Sequence, residues 1–169
     1  RFRRNLERIG EIFAYEISKT LNYVPSEVET PLGIANIQLC NQTIVLGTIL
    51  RAGLPLHQGL LNYFDCAQNS FIAAYRKYGK DNKFTIQIEY ASSPKLEGKI
   101  LILADTMLAT GASIVLAYEK LCQEGEPIHT HLVCPITSAY SIDYLSKHLP
   151  HKRVTLWVSA IDEELTNKS

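Results

Sequence analysis

The chain has 169 residues, 46% of them hydrophobic and 20% charged, which suits a single domain over 1–169 with a sizeable core. Lys plus Arg number 17 and Asp plus Glu 17, so the net charge is zero. That removes any global attraction to nucleic acid or an anionic membrane, and an anion site has to be a local concentration of charge.

No apolar run approaches the ~20 residues that a spanning helix needs, so no membrane partner is expected. Cys40, Cys66, Cys122 and Cys134 are scattered. They have neither the close spacing of a zinc site nor the density of a disulfide scaffold. The expectation is reduced thiols in a cytoplasmic protein, with Cys122 and Cys134 in its core.

The first predicted element is a helix. In "FRRNLERIGEIFAYEISKTL", Phe2, Leu6, Ile9, Phe13 and Ile17 recur at spacings of three and four and mark one buried face. Arg3, Arg4 and Arg8 fall off that stripe and read as a solvated face. The first clear break is at Pro31 and Gly33.

From there strand and helix patterns alternate. "TIVLGTIL" is a buried strand, "LPLHQGLLNYF" a helix, "SFIAAY" a second buried strand and "KFTIQIEYA" the half-exposed strand of a hairpin. "KILILA" is a third buried strand. "SIVLAYEKLCQEG" is a helix with Ser113 as its expected cap and Gly125 as its stop. "HTHLVCPIT", "AYSIDYLSKHL" and "RVTLWVSAI" complete the chain as strand, helix and strand. His129 and His131 share a strand face with no metal-binding partner evident, and Trp157 reads as core. The alternation predicts an α/β fold, a parallel sheet with helices on both faces. Ligands of such sheets sit at the carboxyl ends of the strands. Three segments fall there: "RAG", "YRKYGKDN" and "ADTMLATGAS".

The last of these joins a strand to a helix through Gly111. Free backbone N–H groups and the helix dipole make such a turn an anion pocket, and Thr110 and Ser113 add hydroxyls. The loop is short enough for a single phosphate. Asp105 would repel that phosphate, so it should face another part of the ligand. Vicinal ribose hydroxyls match a carboxylate acceptor. The two together describe a ribose 5-phosphate site. An ordinary turn with Asp105 as a turn former fits the same spacing. Arg51 is the sole charge between Thr43 and Leu56. It suits a phosphate partner or a structural ion pair, and Arg76 at the hairpin edge leaves the same alternatives.

"ILRAGLPLHQGLL", "AYRKYGKD", "ILADTMLATGAS" and "TLWVSAIDEELTN" stand in the order and spacing of uracil phosphoribosyltransferases, and the chain resembles that family over its whole length. The resemblance implies the type I phosphoribosyltransferase fold with a protruding β-hairpin arm. It implies transfer of ribose 5-phosphate from 5-phosphoribosyl-1-pyrophosphate to uracil, giving UMP and pyrophosphate.

The run Asp105, Thr106, Met107, Leu108, Ala109, Thr110, Gly111, Ala112 and Ser113 matches the family's donor-binding motif. By that match Asp105 takes the ribose hydroxyls, and Ala109 to Ser113 cradle the 5′-phosphate. Arg51 and Arg76 match its pyrophosphate arginines, with Ala52 and Gly53 beside the first. Arg51, Arg76 and Asp105 are the expected catalytic residues. Magnesium is expected on the donor rather than in a protein ligand cluster. A homodimer or larger homo-oligomer is implied, built partly by the arm and the first helix.

Thr106 stands where the family has proline, and Ala112 where it has glycine; Ala112 fits only with φ below zero. The family reads uracil through a segment that would follow Ser169. Arg1 falls inside its first helix, so a longer protein is expected at both ends. Two other readings keep the fold: a non-catalytic nucleotide-sensing regulator, and a phosphoribosyltransferase for another base.

Overall fold

The structure is a computed structural model that describes residues 1–78 and 84–163. In chain order it contains α1 (Phe2–Ser18), β1 (Tyr23–Thr30), β2 (Gly33–Cys40), β3 (Ile44–Leu50), α2 (Leu54–Tyr63), β4 (Gln68–Tyr78) and β5 (Phe84–Ser92). Then follow β6 (Ile100–Ala104), β7 (Met107–Leu108), α3 (Ala112–Cys122), β8 (His129–Ser138), α4 (Ala139–His148) and β9 (Val154–Asp162).

The main sheet has the order β5-β4-β3-β6-β8-β7, with β9 also pairing β8. Every pair is parallel except β4–β5. This is the expected α/β architecture.

The uninterrupted apolar run of β6 follows from burial on both faces. Ile100, Ile102 and Ala104 point into one core with Phe13 and Ile17 of α1 and Leu56 and Leu60 of α2. Leu101 and Leu103 point into the other, with Ile114 and Leu121 of α3 and Leu145 of α4. A strand covered by helices on both sides has no solvent face to mark with polar residues.

Helices α1 and α2 pack backbone to backbone: a Cβ at Gly59 would overlap the Glu7 carbonyl. Asn62 ties the pair by donating to Glu7 at 3.1 Å and Glu11 at 2.9 Å. This packing fixes the start of α1 close to the end of β3.

Several expectations are corrected. Strands β1 and β2 form a separate antiparallel hairpin in full register from Tyr23↔Cys40 to Thr30↔Gly33. Their sequence lacks an apolar alternation because β2 is exposed almost throughout and the covered face of β1, Ser26, Val28 and Thr30, is only half-buried. The Pro31–Gly33 break is its turn. The hairpin expected from "KFTIQIEYA" is present as β4–β5 and continues the main sheet; its tip, residues 79–83, lies outside the described residues. "SFIAAY" is less buried than expected: Phe71, Ala73 and Ala74 are half-buried and Tyr75 is exposed, because β4 has only the edge strand β5 beyond it.

Phe2 leaves the stripe of α1 and is 69% exposed. Cys134 is buried, while Cys122 is half-buried. Trp157 is half-buried against the α1–α2 core, and its indole N–H donates to His131 Nδ1 at 3.0 Å. Among the described residues no helix is long and apolar enough to cross a membrane.

Candidate active site

Residue pairing decides which loops meet. β3 and β6 are parallel neighbours, with Thr48 opposite Ala104, so Arg51–Gly53 and Asp105–Gly111 emerge side by side. β4 pairs Ala73 with Leu50 and runs on past the end of β3, carrying the backbone of Arg76 beyond it on the same edge. The Arg76 side chain lies outside the described residues.

Gly53 sits directly over the strand ends. A Cβ there would overlap the Thr48 hydroxyl and approach the Ile49 carbonyl at 2.8 Å. Only glycine lets the chain fold so tightly from β3 into α2. The turn is completed by Gly53 N donating to Ile49 O at 3.2 Å and Leu54 N to Arg51 O at 3.3 Å. Its first peptide, Leu50–Arg51, is cis. Arg51 is left exposed. Among the described residues it is in no ion pair.

Asp105 leaves β6 with its N–H donating to Val133 O of β8 at 3.0 Å. Its Oδ1 accepts from Thr106 N at 2.7 Å. Burial pushes the carboxyl up to about 6, and the Thr106 N–H opposes that rise. Near neutral pH the acid is ionised but held at a cost, so groups that bind its charge are favoured. Burial also pushes the Cys134 thiol up to about 12, with the Asp105 charge adding to it, so this thiol is neutral and unreactive.

Met107 and Leu108 form a two-residue strand against Ile136 and Thr137 of β8, which the sequence pattern does not reveal. Met107 is exposed and Leu108 buried. Gly111 has φ 78 and occupies the N-cap of α3, with no side-chain cap. This corrects the expected Ser113 cap: the helix begins at Ala112, and Ser113 lies half-buried in its first turn. The left-handed turn is made at Gly111, so Ala112 keeps helical φ and needs no glycine.

A cleft of about 410 Å³ joins these loops to α1, lined by Phe2, Arg3, Leu6, Arg51, Ala52, Leu54, Pro55 and Thr106. It brings Arg51, Ala52 and Thr106 together; Ala109 to Ser113 lie outside its lining. It also adds Phe2, Arg3 and Leu6, which sequence reasoning assigned to a core stripe and a solvated face. A helical repeat reports which residues point at the sheet, not what stands at the end of the helix. The lining holds two arginines and no carboxylate. A second cleft of about 420 Å³ opens around Tyr23, Cys40, Tyr63 and Cys66 and has no Lys or Arg in its lining. Of these two clefts, the first is the one that presents cationic side chains among the described residues.

The family model for uracil phosphoribosyltransferase matches residues 1–169. The chain belongs to the uracil phosphoribosyltransferase family. Members of this family are pentosyltransferases. A uracil phosphoribosyltransferase from Porphyromonas gingivalis is 48% identical over 169 residues, covering the whole of this chain and 78% of its own length. One from Methanothermobacter thermautotrophicus is 34% identical over 168 residues, covering 98% of this chain and 75% of its own. Among solved structures, the AQ2163 protein of Aquifex aeolicus superposes with a TM-score of 0.87 at 29% identity, over 98% of this chain and 77% of its own. A hypoxanthine phosphoribosyltransferase from Staphylococcus aureus matches with a TM-score of 0.57 at 16% identity, over 81% of this chain and 65% of its own, a likeness of fold alone. The uracil phosphoribosyltransferase fold thus carries the expected arm-bearing parallel sheet.

Proposed function

We propose that the protein transfers ribose 5-phosphate from 5-phosphoribosyl-1-pyrophosphate to uracil, yielding UMP and pyrophosphate in pyrimidine salvage. The observation that carries this reading is the pairing of a two-arginine cleft with a half-buried, still ionisable Asp105 at adjacent strand ends. The bond from the anomeric carbon to the pyrophosphate oxygen breaks, and a bond to N1 of uracil forms as that nitrogen loses its proton. Negative charge grows on the departing pyrophosphate. Fixed guanidinium groups aimed there stabilise the transition state more than the ground state.

Arg51 takes the pyrophosphate in this reading, with Arg3 beside it in the same cleft, and Arg76 keeps the pyrophosphate role that the family resemblance implies. Asp105 accepts from the ribose hydroxyls. The turn from Ala109 to Ser113 offers backbone N–H groups and the start of α3 to the 5′-phosphate. Magnesium would be held mainly by the donor, since it prefers hard oxygen ligands. Asp105 is the acid at this site that suits such an ion. When bound, the ion neutralises charge on the pyrophosphate. The protein acts in the cytoplasm as a homo-oligomer. Exposed Ile12 and Tyr15 on α1 and Leu32, Ile34 and Leu39 on the β1–β2 hairpin favour such a surface.

The test is formation of labelled UMP from labelled uracil by the full-length protein, with donor and magnesium. UMP should accumulate, and Arg51→Ala should cut kcat/KM at least tenfold, the loss of one charge-assisted contact of about 1.5–3 kcal/mol. An absence of UMP, or equal use of hypoxanthine, overturns the reading.

A further inference from the structure

The junction between β8 and α4 lies outside every residue assigned to the site so far, yet it holds the phosphate turn. β7 pairs Leu108 with Thr137, so Ala109 runs alongside Ser138. Ser138 is 5% exposed and is the N-cap of α4. Its hydroxyl donates to the Ala109 carbonyl at 2.6 Å. The same oxygen accepts from Ser141 N at 2.9 Å. Beneath it the hydroxyls of Thr137 and Ser141 pair at 2.6 Å, fully buried.

The cap alone does not require a proton aimed at Ala109. In the trans Ala109–Thr110 peptide, the carbonyl and the N–H point in opposite directions. A carbonyl pinned toward Ser138 therefore turns the Thr110 N–H away from α4. If the pin were lost, this peptide could rotate between Leu108, which is locked in β7, and the left-handed Gly111.

We propose that Ser138 is a positioning residue for the donor's 5′-phosphate, fixing the plane of the Ala109–Thr110 peptide so that the Thr110 N–H is presented to the anion. This rests on the reading of the Ala109–Ser113 turn as the phosphate cradle. Ser138 touches no substrate; it acts through a backbone amide that would otherwise have to be ordered by the ligand, which weakens binding. In that reading the ribose hydroxyls and the pyrophosphate are held elsewhere, by Asp105 and the arginine cleft. The effect should therefore appear in donor affinity and leave the chemical step alone.

The experiment compares Ser138→Gly and Ser138→Thr in the full chain. Glycine and threonine are about equal as N-caps, so α4 should tolerate both alike. Threonine alone keeps the hydroxyl proton for Ala109. Calorimetry with ribose 5-phosphate, which carries the 5′-phosphate and no pyrophosphate, reads the turn directly. Steady-state kinetics with donor and magnesium separates KM from kcat.

Ser138→Gly should weaken ribose 5-phosphate binding and raise the donor KM by about three- to tenfold, the range for one lost hydrogen bond. Its kcat should stay within about twofold of wild type, and Ser138→Thr should restore binding. Three results would overturn the proposal: a wild-type donor KM in the glycine variant, a threonine variant as impaired as the glycine variant, or loss of kcat and thermal stability with KM unchanged. If the wild-type protein itself binds neither ribose 5-phosphate nor donor, the cradle reading fails, and this inference fails with it.

Discussion

Replacing Asp105 by Asn should make the protein more stable and less active. The carboxyl is half-buried at the end of β6, and among the described residues its one hydrogen bond comes from the Thr106 N–H. Raising it from an ordinary 3.8 to about 6 favours the neutral form by roughly 3 kcal/mol, an upper bound on the cost of the charge at neutral pH. Asparagine keeps an oxygen to accept from Thr106 and carries no charge. For a chain of this size, about 1 kcal/mol moves Tm by roughly 2–4 °C, so a rise of several degrees is expected at pH 7.

The sign fixes the pH dependence. Between 3.8 and about 6 the folded state binds more protons than the unfolded one, so this contribution to stability is present at low pH and is lost as pH rises through about 6. The Asn variant should therefore gain on wild type from pH 4 to 6 and keep a constant lead above that. Thermal unfolding followed by circular dichroism at several pH values measures it. An equal or lower Tm for the variant at pH 7, or a difference that does not change with pH, refutes the buried-charge reasoning. In the same variant kcat/KM for the donor should fall about tenfold or more. A stabilised variant with wild-type kinetics would leave the burial argument standing and remove the ribose role.

Arg3→Ala should raise the donor KM and weaken inhibition by added pyrophosphate several-fold, measured by product-inhibition kinetics; unchanged inhibition would place Arg3 outside the anion site. Gly53→Ala should destabilise the fold by about 2 kcal/mol or more in denaturant titrations, since its Cβ has no room between Thr48 and Ile49. His131 is 4% exposed and accepts the Trp157 indole N–H; burial, and then the charge of His129, lower it to about 4. The unfolded state binds more protons between 6.5 and about 4, so stability should fall as the pH drops through that window, and His131→Asn should remove roughly 3 kcal/mol of the fall. A variant with the wild-type acid limb would refute it.

The sequence by itself determined the strand–helix alternation, the parallel sheet and the two loops at Arg51–Gly53 and Asp105–Gly111 on its carboxyl edge. Each of these is written locally. A strand such as Ile100–Ala104 that is covered on both faces must be apolar throughout, a helix such as α3 must repeat at its own period, and a left-handed turn such as Gly111 needs glycine. Arg51 and Asp105 were legible for a similar reason, as lone charges where apolar strands end. The β1–β2 hairpin was not legible, because β2 is exposed almost throughout and β1 half-buries only Ser26, Val28 and Thr30, so burial writes no apolar alternation into it. Only the tertiary structure decided that α1 brings Arg3 to Arg51. That depends on the contact of α1 with α2 across Gly59, some fifty positions away in sequence. The same holds for the hydroxyl of Ser138, whose partner Ala109 lies twenty-nine residues before it. No pattern along the chain marks such a bond, because the β7–β8 pairing that creates it is a relation between segments and not a property of either one.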